Sequence, residues 1–306
     1  MYDLTIIGGG PAGASAGVYA SRKQLSTLFI TKEWGGQSIV SDDIQNWIGT
    51  PSISGSDLAN DLKKHVHAYA GDCVDIKEGK TVTQITKIDG GFEITLNNDQ
   101  KFQSKTILIT SGSKRRRLTV ENADKFEHKG LTYCASCDGP MFSGQDVAVI
   151  GGGNAAFETA AQLLAYTKSV TLLQRSSRYK ADPVTVEKVL SHPNMTGVLN
   201  AKLLKINGDK FVDGLTYADE NDQEQSISVS GIFVEIGMIP NTEYLSGLVE
   251  LDEYKRIKID PWNQKTSTEG IWAAGDCTNI LYHQNNIAAG DAVRALEDIY
   301  VTLKAR

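Results

Sequence analysis

Two cysteines three positions apart, Cys134 and Cys137, followed at once by Asp138, are the residues of this sequence best suited to chemistry. At that spacing two thiols close a small disulfide, and a lowered pKa arms one of them to attack another disulfide. Asp138 adjoins the pair and is placed to exchange a proton with it. Structural zinc would need a second pair of ligands. Cys73, Cys277 and the five histidines supply none at finger spacing. Redox chemistry without a metal is therefore the expectation, with Cys73 and Cys277 as small core residues.

Such a pair must be fed with electrons, and the sequence carries a phosphate-binding device twice. A short apolar run at residues 4–7 leads into Gly8-Gly9-Gly10-Pro11-Ala12-Gly13, and a helix-like stretch follows to about residue 22. In G-x-G-x-x-G the first glycine makes a tight turn, the second lets backbone approach a pyrophosphate, and the third lets helix and strand pack closely. The helix N-terminus then presents unpaired N–H groups to the phosphates. A β-branched run at residues 147–150 repeats the pattern with Gly151-Gly152-Gly153-Asn154-Ala155-Ala156, a helix to about residue 166 and a strand at 170–173. One such motif is a weak signal. Two, each between strand and helix, imply two nucleotides or the two halves of an electron-transfer pair.

Several residues stand where such folds meet a ligand. A strand at residues 271–274 ends in Gly275-Asp276, and Tyr282-His283-Gln284 leads into a helix from about residue 287. Asp276 at a strand end suits ligand hydroxyls and equally suits a plain turn. The strand end Thr110-Ser111-Gly112 is a weaker companion. Glu33, in Thr31-Lys32-Glu33, is a candidate for a ribose contact and equally an ordinary surface glutamate.

The rest of the chain bounds the answer. Its 306 residues suffice for two domains with separate cores. It holds 29 glycines, where about 21 would be usual at roughly 7%, and their clustering at the motifs marks site architecture. A net charge of −6 argues against nucleic acid as the main ligand. No run approaches the roughly 20 apolar residues that span a bilayer, and no basic leader precedes the first strand. A cytoplasmic location, without membrane attachment, is the expectation.

The ordered set of motifs resembles the low-molecular-weight thioredoxin reductases, and more closely still the flavoprotein portion of alkyl hydroperoxide reductase. It comprises the Gly8 turn, Gly35-Gly36-Gln37, Asn46-Trp47-Ile48-Gly49, the Cys134/Cys137 pair with Asp138-Gly139, the Gly151 turn, and Gly275-Asp276-Cys277 with Gln284. The resemblance implies an α/β fold of two three-layer, Rossmann-like domains, one inserted in the other. Residues 1–112 plus 243–306 would bind FAD, and residues 113–242 would bind NAD(P)H and carry the cysteines. FAD would meet Gly8, Gly10, Pro11, Ala12, Gly13, Glu33, Gly36, Gln37, Asn46, Gly112, Asp276, Gln284 and Asn285. The pyridine nucleotide would meet Gly151, Gly153, Asn154, Ala155 and Ala156. Hydride would pass from nicotinamide to flavin and then to the disulfide through Cys137. Cys134 would attack the partner, a thioredoxin-like protein, and Asp138 would carry protons. The family also implies domain rotation and a homodimer. Its peroxide-reducing relatives carry an extra N-terminal thioredoxin-like region, which implies a separate partner protein here.

The donor site departs from the pattern. An NAD site expects Asp or Glu about 20 residues past the glycine turn, and Gln174 stands there. An NADP site uses arginines for the 2′-phosphate, and Arg175, Arg178 and Lys180 follow. NADPH is therefore favoured, with NADH or reduced ferredoxin as alternative donors and a flavin-dependent dithiol oxidase as the rival activity. Asp291 takes the place of a glycine usual among relatives. Lys114-Arg115-Arg116-Arg117 is a basic run in an acidic chain. It reads as a solvated connector or as a docking site for an acidic protein such as ferredoxin or thioredoxin.

Overall fold

The structure, a computed structural model, describes residues 1–41, 43–245 and 247–304. The chain divides into two compact units, one formed by Met1–Lys114 with Ile239–Arg306 and the other by Arg115–Met238.

The first unit opens with β1 (Tyr2–Gly9), α1 (Pro11–Arg22), β2 (Thr27–Trp34), α2 (Gly55–Ala70), β3 (Val74–Glu78), β4 (Val82–Ile88), β5 (Gly91–Leu96) and β6 (Lys101–Ile109). β3, β2, β1 and β6 lie side by side and parallel, and β5 and β4 extend the sheet antiparallel. Ile6 lies opposite Phe29 on one side and Leu108 on the other. Successive side chains alternate between faces. Leu4, Ile6, Phe29 and Leu108 thus join one core with the alanines of α1 and with Leu58, Leu62 and Val66 of α2. Ile7, Leu28, Ile30, Ile107 and Ile109 join a second core on the opposite face. A sheet buried on both faces reads as continuous apolar runs, which is why residues 4–7 stand out. β1 is longer than that run at both ends, because Tyr2 pairs with Ser104 and Gly9 with Trp34 through backbone alone.

β7 (Ser113–Arg115) leaves this unit. The second holds α3 (Ala123–Phe126), β8 (Leu131–Thr132), α4 (Ala135–Asp138), β9 (Asp146–Ile150), α5 (Asn154–Leu163), β10 (Ser169–Leu173), α6 (Pro183–Leu190), β11 (Met195–Val198), β12 (Lys202–Gly208), β13 (Val212–Ala218), β14 (Glu224–Ile227) and β15 (Gly231–Val234). The parallel sheet runs β11-β10-β9-β15-β8, and β12 to β14 form an antiparallel layer. Val147, Val149, Leu172 and Phe233 pack on Ala156, Phe157, Ala160 and Leu163 of α5. Ala148, Ile150 and Ile232 face Leu215 and Tyr217 of β13. α5 ends at Leu163, short of residue 166, and the remaining turn closes through Thr167 N–H and hydroxyl bonds to the Leu163 carbonyl.

The returning chain forms β16 (Met238–Pro240), which pairs with β7, then β17 (Ile271–Ala273) beside β6, and α7 (Asn285–Lys304). α7 lays Ala288, Ala292, Ala295, Leu296 and Ile299 into the first core. The architecture is α/β in both units, with helices and strand layers flanking each parallel sheet.

Candidate redox and nucleotide sites

In the second unit β8 delivers the chain to the cysteine pair. Cys134 is the N-cap of α4, and Cys134 and Cys137 are joined as a disulfide with Cα atoms 5.3 Å apart. The Cys137 N–H donates to Cys134 Sγ at 3.2 Å, and the Asp138 N–H donates to the Cys134 carbonyl at 3.0 Å. Thr132 binds the site together. Its hydroxyl donates to Asp138 Oδ2 and accepts from the Cys134 N–H at 3.3 Å. The carboxyl beside the disulfide is thereby held by a hydroxyl, and among the described residues it has no ion pair. Ser136 reaches Gln162 of α5 at 3.2 Å. A Cβ at Gly139 would overlap the Tyr166 hydroxyl, so a larger residue directly after Asp138 would have to displace that side chain. Thr132 escaped sequence reasoning, because nothing about a threonine two residues before a cysteine signals its role.

In the first unit the Gly8 turn is a packed device. Gly8 has φ +124°, and a Cβ there would overlap the Thr110 carbonyl oxygen. A Cβ at Gly13 would overlap the Gly8 carbonyl oxygen. Gly10 differs: it caps α1 without a side-chain hydrogen bond, Pro11 and Ala12 follow it into the first turn, and a Cβ would meet nothing nearer than Gly36 Cα at 3.9 Å. The open space over Gly10 and Gly36, at an uncapped helix start, fits a pyrophosphate.

The other expected FAD residues fall into two groups. Gly275, at φ +77°, would place a Cβ 3.3 Å from Ala288 and 3.4 Å from Ala12, so the Asp276 turn lies between the starts of α1 and α7. Asp276 Oδ1 is 3.8 Å from His283 Nδ1. Asn46 donates to Gln284 Oε1 at 3.2 Å and accepts at its carbonyl from Asn286 Nδ2 at 2.7 Å. Ser38 donates to Asn285 Oδ1 at 2.9 Å. These bonds fasten Ser38 and Asn46 to the start of α7. Glu33 and Gln37 are exposed, at the end of β2 and in the turn after Gly36. Gly112, at φ +63°, accepts from the Asn241 N–H at 3.0 Å. Cys277 is fully buried, and burial pushes its thiol up to about 11, which leaves it inert. Burial also raises the Asp291 carboxyl, whose partners are Gln264 and Arg294.

The second glycine turn repeats the first with different neighbours. Gly151 has φ +145°, and a Cβ there would overlap the Glu235 carbonyl oxygen and lie 3.2 Å from the Ala156 Cβ, so this position calls for glycine. Nothing lies within 4 Å of a Cβ at Gly153. Gly152 packs on the Gln174 side chain. Gln174 is buried and fully engaged, accepting from the Arg175 N–H and donating to Ser176 and the Arg178 carbonyl. It shapes the loop where a ribose-binding carboxylate was expected. Asn154 has a similar duty: its Oδ1 accepts from the Asp182 N–H at 2.8 Å. The Lys180 N–H donates to the Gly152 carbonyl at 2.7 Å. Arg175, Arg178 and Lys180 are exposed, and among the described residues none of them pairs with a carboxylate. Ala155 lies in the first turn of α5.

No helix of the described residues is long and apolar enough to cross a membrane. In the basic run, Lys114 and Arg116 are exposed, whereas Arg117 approaches Glu127 at 3.8 Å and Arg115 is half-buried, with its charge acting on Glu235.

The chain matches the pyridine nucleotide-disulphide oxidoreductase family over residues 2–293. It is 40% identical to an NADH dehydrogenase of Bacillus subtilis, over 96% of this chain and 57% of that protein. It is 39% identical, with the same shares covered, to the F component of alkyl hydroperoxide reductase from Staphylococcus epidermidis. The chain thus spans little more than half the length of these relatives. Thioredoxin reductase from Giardia duodenalis superposes with a TM-score of 0.92 over 100% of this chain and 99% of that one, at 27% identity. The chain belongs to the pyridine nucleotide-disulphide oxidoreductase family, and within it resembles the thioredoxin reductases and part of the F component of alkyl hydroperoxide reductase.

Proposed function

We propose that the protein is an FAD-dependent reductase that carries electrons from NADPH to the disulfide of a thioredoxin-like protein. The observation that carries the reading is the Cys134–Cys137 disulfide, in the same unit as a dinucleotide turn. FAD, when bound, supplies a two-electron carrier. The first unit's part is to hold it with the Gly8, Gly36 and Asp276 turns. The second unit's part is thiol chemistry. Reduced Cys134 attacks one sulfur of the partner's disulfide, forms a mixed disulfide and expels the partner's other thiol. Cys137 then attacks Cys134, restores the internal disulfide and releases the partner's second thiol. Asp138, kept in place by Thr132, takes up and returns the proton.

NADPH is favoured because Gln174 is fully engaged and Arg175, Arg178 and Lys180 are exposed beside it. The name of the Bacillus subtilis relative favours NADH as the second reading. An anaerobic titration of the yellow holoprotein decides. Under the first reading NADPH bleaches the flavin at micromolar concentrations and NADH requires far more. Preference for NADH would reverse the assignment, and bleaching by neither, with full reduction by dithionite, would remove the nicotinamide reading. Charge-assisted hydrogen bonds contribute about 1.5–3 kcal/mol each. Replacing Arg175 and Arg178 together by Ala is therefore expected to raise the KM for NADPH by roughly 100-fold while leaving that for NADH within about twofold. Equal changes for both nucleotides would exclude 2′-phosphate recognition.

The exposed cations Lys114 and Arg116 suit the approach of an acidic partner. Reversing both to Glu is expected to raise the partner's KM several-fold at low salt and to have little effect at high salt, where surface charges are screened. A KM unchanged at low salt would remove this docking role.

A further inference from the structure

β9 is the strand at which the second unit's sheet reverses direction of growth: β10 and β11 lie on one side, β15 and β8 on the other. In open parallel sheets a ligand lies in the crevice beyond the strands' carboxyl ends at such a switch. The positions along that crevice follow from the chain. The loop after β10, with Gln174, Arg175 and Arg178, is where an adenosine ribose reaches. The Gly151 turn between β9 and α5 takes the pyrophosphate. The remaining half of a dinucleotide therefore falls over the end of β15, and the first residue past β15 is Glu235.

Glu235 is held there through both backbone and side chain. Its N–H donates to the Ile150 carbonyl at 2.8 Å, and its own carbonyl fills the space a Gly151 side chain would need. Its Oε1 accepts from the Thr159 hydroxyl of α5 at 3.0 Å. We propose that Glu235 holds the nicotinamide end of the dinucleotide and that its carboxylate selects the oxidised, cationic ring over the reduced, neutral one. This rests on the reading of the second unit as the nicotinamide unit. A carboxylate in a crevice of low dielectric attracts a pyridinium strongly and a dihydropyridine hardly at all. With a dinucleotide bound, a carboxylate at this place would stabilise positive charge on the ring.

Burial pushes the Glu235 carboxyl up to about 7. Arg115 of β7 and the Thr159 hydroxyl act in the opposite direction, and Glu158 of α5 adds to the rise. A cationic ring draws the carboxyl toward its ionised form, so the oxidised dinucleotide binds more tightly as pH rises through 7. A ligand that requires the ionised form gains about tenfold between pH 6 and pH 8.

The test is calorimetric titration of the holoprotein, flavin oxidised, with NADP⁺ and NAD⁺. ADP-ribose and its 2′-phosphate serve as the same ligands without nicotinamide. Comparing each dinucleotide with its own fragment cancels the titration of the phosphates. The wild type is expected to show a dinucleotide-to-fragment affinity ratio that rises about tenfold from pH 6 to pH 8. Glu235→Gln is expected to flatten that rise and lower the ratio at pH 8, while fragment affinity stays unchanged and so reports an intact site. A ratio with the wild-type pH profile in Glu235→Gln would overturn the proposal, as would parallel weakening of dinucleotide and fragment. In either case the nicotinamide reading of the unit would stand. A wild type that binds neither dinucleotide nor fragment would overturn that reading and this proposal together.

Discussion

The Cys137→Ser protein will reduce no protein disulfide: kcat for a thioredoxin-like acceptor is expected to fall by at least about 10³-fold, as when a covalent nucleophile is removed from other enzymes. The reason lies in the exchange sequence. Cys134 remains as a thiol able to attack the partner, but the mixed disulfide it forms has no internal thiol to resolve it. Incubation with oxidised partner should therefore trap a covalent one-to-one adduct, seen on a non-reducing gel and released by dithiothreitol. Cys134→Ser should be as inactive and should form no adduct. Both proteins should remain folded and yellow, because the disulfide joins residues only three apart and a short loop removes little unfolded-state entropy. The N–H of residue 137 keeps its Cys134 sulfur acceptor in Cys137→Ser, and in Cys134→Ser a hydroxyl oxygen takes the place of that sulfur. Unchanged turnover in Cys137→Ser would sink the dithiol mechanism. Adducts trapped by Cys134→Ser instead would exchange the roles of the two cysteines.

The features legible in the sequence were those whose geometry is written in local spacing. Glycines at Gly8, Gly10 and Gly13 announce themselves by their spacing, although the fold itself requires the missing side chain only at Gly8 and Gly13. Cys134 and Cys137 do so because three residues bring two sulfurs within bonding reach. The parallel strands were legible for a similar reason: burial on both faces demands an unbroken apolar run, as at residues 147–150. What stayed hidden depends on residues brought together by the fold. Asn46 and Asn286, 240 residues apart, are joined by a single hydrogen bond. Thr132 has meaning only because β8 ends beside Asp138. Asn154 and Gln174 stood where nucleotide contacts belong, yet their side chains satisfy backbone groups of the loop at 174–182. A polar side chain at such a position serves either the ligand or the loop, and composition does not distinguish them. The same holds for four consecutive cations, of which Arg115 acts on the Glu235 carboxyl and Arg117 approaches Glu127.

Two glycine substitutions in one turn are expected to fail differently, and the contrast separates folding from ligand binding. Gly13→Val places a branched side chain where even a Cβ would overlap the Gly8 carbonyl oxygen and come within 2.9 Å of Thr110 Oγ1. Those neighbours cannot move aside. Gly8 belongs to β1, which is paired on both sides, and Thr110 directly follows β6 with its hydroxyl bonded to the Ile7 carbonyl at 2.9 Å. Relief requires α1 to lift from the sheet, which exposes Ala12, Ala16 and Ala20 of the first core. Overpacking of a rigid core costs about 1–3 kcal/mol, and more where backbone must shift. Gly13→Val is thus expected to melt well below the wild type and to purify without flavin. Gly10→Ala meets open space at a φ of −76°, which alanine adopts freely. Its flavin-free form should melt within about 0.5 kcal/mol of wild-type apoprotein. The new methyl nevertheless occupies the room between Gly10 and Gly36 that a pyrophosphate would take, so flavin affinity should fall by at least about tenfold, read by fluorescence quenching on reconstitution. If Gly13→Val melted like the wild type, close helix–strand contact would not be what that glycine serves. If Gly10→Ala bound flavin normally, the phosphates would have to lie elsewhere than over this turn.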